Sequence, residues 1–368
     1  MPTPEHDRPR ARTALDDIPA YKAGRSALGP DGVPLAKLSS NELPYPPFPE
    51  VVAAIARSAA AGNRYPDPGC VELKAVLAKR HGVTPDRIAP ATGSVAVVYH
   101  LLQAFCDPGD EVVYAWRSFE AYPIASQLVG ALSVRVPLTA DARHDVPGIL
   151  ASVTDRTRVV LACTPNNPTG PSITQDELDA LADGLPGRVL LVIDEAYEEF
   201  ASPDPHVAGR GQPLLDRPNV VSLRTFSKAY ALAGFRVGYA VASREVAEAV
   251  AKCALPFGVG AAAQVAAIAA LGVEARVRAQ LALVVAERTR VLASIRGQGL
   301  DVPDSQANFV WITLGEHTTA FAEHCEAAGS VVRPFAGDGV RISIGRPAEN
   351  DALLAAVAAW VNEMSPRS

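Results

Sequence analysis

The sequence lacks the features that mark secreted, metal-binding and nucleic-acid-binding proteins. Its 368 residues include only five cysteines, an odd number with no CxxC pair and no His/Cys ligand spacing. We therefore expect buried free thiols in a reducing cytoplasm and no metal site. Positive charge is not in excess, because 34 Lys and Arg stand against 40 Asp and Glu. The net charge of −6 argues against nucleic acid and anionic membranes as partners and leaves small molecules.

Long apolar segments of the kind that enter membranes are also scarce. Residues 1–21 carry charges and prolines where a secretory signal would be apolar, so export is not expected. One uncharged run, from Cys253 to Val273, is long enough to be a membrane candidate. It contains Pro256, Gly258, Gly260 and many alanines rather than leucines. We interpret it as a buried helix with its lead-in loop and expect a cytoplasmic protein without membrane contact.

The middle of the chain has the alternating pattern of an α/β protein. Four short β-rich runs are separated by helical stretches, as in parallel βαβ units. They are Glu111–Trp116, Arg158–Cys163, Arg188–Ile193 and Asn219–Leu223. The second and third are apolar without alternation, which is typical of strands covered on both faces. The pattern predicts a mainly parallel sheet flanked by helices.

The C-terminal part predicts a second, smaller α+β domain. Helices are expected over Ala261–Leu271 and Val277–Ile295, and two β segments, 305–314 and 339–345, surround a helix near Thr318–Ala328. A chain of this length also exceeds the usual limit for one core, about 250–300 residues. We therefore predict a large domain over 39–273, a small domain over 274–368, and an N-terminal arm over 1–38 that joins the small domain.

Polar residues follow three of the predicted strands. The run RVLLVI is followed by Asp194, RVVLAC is followed by TPNNPTG (164–170), and NVVSLR is followed by TFSK, which ends at Lys228. Each alone has an ordinary explanation, as a helix cap, a turn or a solvated charge. Together they lie where the carboxyl ends of parallel strands form ligand sites. The sequence therefore predicts a small-molecule site at this edge of the sheet.

These segments resemble the fold-type-I pyridoxal-phosphate aminotransferases, in the branch that holds histidinol-phosphate and aromatic amino acid aminotransferases. The most specific segment is TFSKAYALAGFRVGY (225–239), in which Lys228 and Arg236 would both face one cofactor. The resemblance covers nearly the whole chain and includes SSNELP (39–44), NRYPD (63–67), the pair Gly93 and Ser94, DEAY (194–197), SQANFVW (305–311) and VRISIG (340–345).

The resemblance implies pyridoxal 5'-phosphate as cofactor and assigns roles to named residues. Lys228 would carry the cofactor as a Schiff base and then act as the base, while Asp194 would pair with the protonated ring nitrogen. Tyr197 and Asn167 would hydrogen-bond the ring hydroxyl. The further implied cofactor contacts are Gly93, Ser94, Val95, Phe119, Thr225, Ser227, Arg236 and Tyr65. The implied substrate contacts are Arg341, Arg333, Tyr21, Asn41 and Asn167.

Two further features bear on assembly and substrate. Tyr65 resembles a residue that reaches the phosphate of the neighbouring subunit, which implies a homodimer with shared active sites. Val95 and Ala96 stand where histidinol-phosphate enzymes usually carry two acidic residues, and with WRSFEAYPI (116–124) they favour the aromatic branch. We expect transfer of the amino group from an aromatic amino acid, phenylalanine first, to a 2-oxo acid.

Three alternatives remain at this point. One is histidinol-phosphate aminotransferase, since two arginines suit a phosphate as well as a carboxylate. Another is a related decarboxylase of an amino-acid phosphate. The third is a regulatory or scaffold protein that binds the cofactor, which would need an attached DNA-binding region that the sequence does not show.

Overall fold

The structure, a computed structural model, describes residues 11–12, 15–16, 18 and 35–364. Its strands are β1 (Ala36–Lys37), β2 (Ile88–Ala91), β3 (Glu111–Trp116), β4 (Leu132–Pro137), β5 (Thr157–Cys163), β6 (Leu190–Asp194), β7 (Val220–Thr225), β8 (Gly238–Val241), β9 (Phe309–Thr313), β10 (Ser330–Val331), β11 (Arg333–Phe335) and β12 (Gly339–Ser343). Its α-helices are α1 (Pro49–Ala59), α2 (Val71–His81), α3 (Ser94–Phe105), α4 (Ala121–Val129), α5 (Val146–Ala151), α6 (Gln175–Gly184), α7 (Arg244–Cys253), α8 (Ala261–Gly272), α9 (Glu274–Gly297), α10 (Thr318–Ala327) and α11 (Pro347–Met364). Short 3₁₀ turns cover Pro85–Arg87, Glu198–Phe200, Gln212–Leu214, Ala233–Phe235 and Gly315–His317.

A seven-stranded sheet in the order β2-β8-β7-β6-β5-β3-β4 lies at the centre of the fold. All neighbouring strands from β7 to β4 are parallel, and β8 is antiparallel to both β7 and β2. The central strands β6 and β7 are buried along their whole length because helices cover both faces of the sheet. The mainly parallel sheet is thus confirmed, and the four predicted strands occur with ends shifted by up to two residues.

The C-terminal part forms a second, antiparallel sheet in the order β11-β12-β9. Helices α10 and α11 accompany it, and the short strand β1 pairs in parallel with β10. Residues near the start of the described chain therefore join its C-terminal part. The predicted helices correspond to α8, α9 and α10, although α9 begins at Glu274, three residues earlier than expected.

The uncharged run from Cys253 to Val273 is a loop followed by a helix, as expected. Helix α7 ends at Cys253, and α8 packs against α1. Of the helices described, none combines the length and the apolar character that a membrane crossing demands. The five cysteines are free thiols, and four are buried, but Cys253 is partly exposed because it ends a helix at the surface. The prediction of uniformly buried thiols is therefore wrong at this position.

The N-termini of α6 and α3 differ in how their first backbone N–H groups are bound. Helix α6 begins with a capping box, in which the Thr174 hydroxyl accepts from the backbone N–H of Glu177 and the Glu177 carboxylate accepts from the backbone N–H of Thr174. Helix α3 differs, because no described side chain caps its N-terminus, which follows Gly93. Its first backbone amides are left for another acceptor.

Candidate active site

A cavity of about 450 Å³ lies at the carboxyl ends of β5, β6 and β7, next to the β11–β12 hairpin. Thirteen of the residues expected in the site line this cavity. They are Asn41, Ser94, Val95, Phe119, Asn167, Asp194, Tyr197, Thr225, Ser227, Lys228, Arg236, Arg333 and Arg341. Gly93 directly precedes the wall that Ser94 forms. The sequence therefore placed most of the cavity wall, drawn from segments up to 300 residues apart.

The Lys228 amine lies three residues beyond the end of β7. Its Nζ donates a hydrogen bond of 3.1 Å to the carbonyl oxygen of Ser40 and sits 5.8 Å from the centre of the Tyr197 ring. Burial, and next the positive charge of Arg341, lower the pKa of Lys228 to about 7. Near neutral pH the amine is thus uncharged in a large fraction of molecules and can act as a nucleophile or a base.

Asp194 ends β6 and is 4% exposed. Its Oδ2 accepts a hydrogen bond of 2.7 Å from the Tyr122 hydroxyl, and its Oδ1 accepts from the backbone N–H of Ala196 at 3.3 Å. Burial raises the pKa of Asp194 to about 6, although both hydrogen bonds act in the opposite direction. Within the described residues no Lys or Arg forms an ion pair with this carboxylate. It can therefore serve a cationic group placed in the cavity.

The N-terminus of α3 and the guanidinium of Arg236 form one end of the cavity. Gly93 has φ of +91°, and a Cβ there would lie 2.8 Å from Arg236 Nη2, so only glycine permits this approach. Arg236 Nη1 donates to Ser227 Oγ at 3.3 Å, and Thr225 completes the wall. Helix amides, a guanidinium and two hydroxyls together form a site for a phosphate-like anion.

Asn41 joins the N-terminal segment to the cavity and to the C-terminal sheet. Its backbone has φ of +54°, and its Nδ2 donates to the Tyr197 hydroxyl at 2.9 Å. Ser343 Oγ accepts from the backbone N–H of Asn41 at 2.8 Å and donates to its Oδ1 at 3.0 Å. Burial is the main cause that raises the pKa of Tyr197, so the phenol stays protonated. Asn41 therefore fixes the position of that hydroxyl.

Two arginines face each other across the antiparallel hairpin, since Arg333 on β11 pairs in register with Arg341 on β12. Arg341 donates to Asn167 Oδ1 at 2.6 Å and to the carbonyl oxygen of Ser39 at 2.7 Å. Arg333 donates to Glu120 Oε2 at 2.8 Å. Like charges directly opposite each other destabilise a sheet. The position of two arginines beside the cavity, despite this repulsion, indicates a site that binds anionic groups.

Sequence reasoning missed two residues that act on this site. Tyr122 holds the Asp194 carboxylate, and Glu120 pairs with Arg333. Both lie in the segment WRSFEAYPI, beside the expected Phe119, whose ring makes an edge contact with Tyr122 at 5.6 Å. Tyr122 is the second residue of α4, and its ring makes a further edge contact with Tyr114 of β3. The signal for both residues was their place in this segment, within three residues of the expected Phe119.

Tyr65 lies away from the cavity of the chain described. Tyr65 is 82% exposed and stacks on Phe257 with ring centres 4.5 Å apart. It contributes nothing to the site of its own chain, and its expected contact with a partner's site stays a prediction. Tyr21 lies outside the described residues.

Comparison with known proteins adds three findings. Residues 33–357 match the family aminotransferase class I and II. The aromatic amino acid aminotransferases of Streptomyces coelicolor and Thermobifida fusca are 52% and 51% identical to the chain, over 94% and 95% of it and 96% and 97% of the relatives. The crystal structure of histidinol-phosphate aminotransferase from Sinorhizobium meliloti in complex with pyridoxal-5'-phosphate superposes with a TM-score of 0.86 at 29% identity, over 97% of this chain and 98% of that one.

Proposed function

Because the chain belongs to the class I and II aminotransferases, whose cofactor is pyridoxal 5'-phosphate, we propose that it moves the amino group of an aromatic amino acid, phenylalanine first, to a 2-oxo acid. The observation that carries this proposal is that two groups with shifted pKa values line one cavity. The pKa of the Lys228 amine is lowered, and the pKa of the buried Asp194 carboxylate is raised. Groups whose environments push their pKa values away from the usual range are typical of catalytic sites.

The residues present fit the cofactor, since the Gly93 approach to Arg236 leaves a cradle that a Cβ would fill. The phosphate would be held at this cradle. The ring nitrogen would meet Asp194, and the aldehyde would meet Lys228. The proposed remaining contacts are Ser94, Val95, Thr225 and Ser227 for the phosphate, Phe119 for the ring face, and Asn167 and Tyr197 for the ring hydroxyl.

When bound, pyridoxal phosphate supplies an aldehyde that joins an amine and a protonated ring that withdraws electrons from the neighbouring carbon. Lys228 Nζ takes the proton from the substrate's α carbon, for which a pKa of about 7 suits neutral pH. The Asp194 carboxylate would keep the ring-nitrogen proton in place, and the positive charge of that nitrogen would in turn favour the charged form of Asp194. Tyr197, oriented by Asn41, holds its proton at the hydroxyl and donates a hydrogen bond.

The substrate assignment rests on one arginine that can bind a carboxylate and on apolar side chains that line the same cavity. Arg341 presents its guanidinium to the cavity and suits the substrate's carboxylate. Phe119, Phe335 and Val95 line the same space and suit an aromatic ring. The curated relatives named above support this choice. Histidinol phosphate is the second candidate, favoured by the similar structure of the Sinorhizobium meliloti enzyme.

We propose further that the protein is a cytoplasmic homodimer with shared sites. Tyr65 and Phe257 present a stacked aromatic pair to the surface, and Leu255 beside them is 74% exposed. An exposed apolar surface of this kind favours contact with a second copy.

We also propose the domain division at 38/39 and 273/274, which is supported by the start of α9 at Glu274 and by the pairing of β1 with β10.

Steady-state assays of phenylalanine, tyrosine, tryptophan and histidinol phosphate, with one 2-oxo acid acceptor, test the proposal. We expect a higher specificity constant for phenylalanine than for histidinol phosphate. Apolar contacts discriminate by only about 1–3 kcal/mol per misplaced group, so measurable activity on tyrosine is also expected. A ratio that favours histidinol phosphate would overturn the aromatic assignment.

A further inference from the structure

Arg117 joins the seven-stranded sheet to the hairpin that carries Arg341. It directly follows β3, and its Nε donates a hydrogen bond of 2.9 Å to Asp338 Oδ2, which also accepts from its Nη2. Asp338 ends the turn between β11 and β12, three residues before Arg341. Both partners of this ion pair lie outside the cavity wall that the described residues form. Arg117 therefore holds the turn of the hairpin without lining the cavity.

The backbone of Arg117 is fixed by the loop that also contacts Arg341. Asn166 Nδ2 donates to the carbonyl oxygen of Arg117 at 3.1 Å, and Asn166 Oδ1 accepts from Ser118 Oγ at 2.7 Å. Asn166 is fully buried, and the next residue, Asn167, accepts the hydrogen bond from Arg341. This loop thus reaches the hairpin at two places, directly at Arg341 and through Arg117 at the turn.

Two aromatic rings contact the guanidinium of Arg117. Its central carbon lies 4.7 Å from the centre of the Trp116 ring and 5.5 Å from the centre of the Phe335 ring. Phe335 belongs to β11, is buried and lines the cavity. The guanidinium of Arg341 lies 5.7 Å from the centre of the Phe335 ring. Cations within about 6 Å of a ring centre are attracted to the ring. Displacement of Arg117 therefore changes the packing of a ring that Arg341 also contacts.

We propose that Arg117 is a positioning residue for substrate binding, because it holds the hairpin where Arg341 can meet the carboxylate of an amino acid. That carboxylate is bound both before and during the reaction. Weaker binding of it therefore raises KM and leaves kcat unchanged. The inference rests on the proposed function, in which Arg341 binds the substrate's carboxylate.

The test measures ligand binding and kinetics of the holoenzyme of Arg117→Gln. The side chains of Arg117 and Asp338 are 24% and 43% exposed, so water weakens their ion pair and the expected effect is moderate. The KM for L-phenylalanine should rise roughly three- to tenfold, with kcat nearly unchanged. The dissociation constant of 3-phenylpropionate, which has the ring and the carboxylate but no amine, should rise by a similar factor in calorimetry. The dissociation constant and the visible absorption of the cofactor should stay as in the wild type.

Three further variants separate positioning from a general structural role. Asp338→Asn should reproduce most of the rise in KM, and combining it with Arg117→Gln should add little, because both changes break one ion pair. Arg117→Lys keeps the positive charge and should recover part of the wild-type KM. Arg135→Gln is the matched control, since Arg135 on β4 lies 4.4 Å from the centre of the Trp116 ring. It removes a cation from that ring but leaves the ion pair with Asp338 in place, so its KM should equal that of the wild type.

The outcomes separate the inference from the proposed function. An unchanged KM in both Arg117→Gln and Asp338→Asn would overturn the inference. A parallel loss of kcat, weaker cofactor binding, or the same rise in KM in Arg135→Gln would overturn it in favour of a structural role. If Arg117→Gln does not fold, Asp338→Asn decides alone. If the wild type does not use phenylalanine, the proposed function fails, and the binding of 3-phenylpropionate still decides whether Arg117 positions Arg341.

Discussion

Asp194→Asn should make the cofactor-free protein more stable at neutral pH while it damages catalysis. Burial raises the pKa of Asp194 from its ordinary 3.8 to about 6, a difference of about two, and each unit corresponds to 1.36 kcal/mol. The charged carboxylate therefore costs the folded state about 3 kcal/mol, which an uncharged amide of the same shape avoids. The amide oxygen can still accept the hydrogen bond from Tyr122.

The sign of the pH dependence follows from proton binding. Between pH 4 and pH 6 the folded wild type keeps the Asp194 proton that the unfolded chain has lost, so the wild type becomes less stable as pH rises. The gain in free energy of unfolding of Asp194→Asn over the wild type should be near zero at pH 4 and approach its limit of about 3 kcal/mol above pH 6. Urea unfolding of both cofactor-free proteins at several pH values measures it.

The holoenzyme of Asp194→Asn should behave in the opposite way. Pyridoxal phosphate should raise its midpoint temperature less than that of the wild type, because the ring nitrogen loses its ionic partner. The half-reaction with phenylalanine should slow at least tenfold, which corresponds to about 1.4 kcal/mol in the barrier. This reasoning would be refuted if the free energy of unfolding of the two cofactor-free proteins changed in the same way with pH, or if the rate of the half-reaction were unchanged.

Three further predictions concern Lys228, Tyr122 and Tyr65. Lys228→Ala should abolish turnover and the visible absorption of the bound cofactor, and borohydride reduction of the wild type should place the pyridoxyl label on Lys228 alone; a label on another lysine contradicts the assignment. Tyr122→Phe removes a hydrogen bond that stabilises charged Asp194, so the acid limb of the pH–rate profile should move up by about one unit. An unmoved limb would mean that Tyr122 only packs. Mixing Tyr65→Phe with Lys228→Ala subunits should yield more activity than the separate variants, since hybrids contain one native shared site, and no gain would place Tyr65 outside the partner's site.

Sequence pattern alone predicted the strands that carry Asp194 and Lys228, whereas most other residues that line the cavity were predicted from the family resemblance. The runs that become β5 and β6 are apolar without alternation and, like the run that becomes β7, are separated by helical stretches, so their parallel direction could be expected. Since the carboxyl ends of parallel strands meet at one edge, Asp194 and Lys228 were expected together, and both line the cavity. The strand β8 was not predicted, because four residues carry too little pattern.

Contacts between distant side chains could not be predicted from local pattern. The Glu120–Arg333 ion pair joins residues 213 positions apart, and nothing in either segment indicates the other. The hydrogen bond from Tyr122 to Asp194 joins residues 72 positions apart, and local spacing does not predict it. The resemblance to a family supplied Arg341 and Asn41, whose neighbours in sequence are ordinary strand and loop residues.

The attachment of Asn41 to Ser343 has a consequence for biosynthesis. The two residues are separated by 302 positions, as are Ser39 and Arg341. A ribosome that adds about 5–20 residues per second needs on the order of 15 to 60 seconds to pass from one to the other. During that interval the nascent chain has already made Asp194 and Lys228, but the hydrogen bonds that join Asn41 to Ser343 and Ser39 to Arg341 cannot form. The complete cavity therefore forms only after Ser343 has been synthesised, and a chain that terminates before Ser343 lacks one of the residues that hold Asn41 against the Tyr197 hydroxyl.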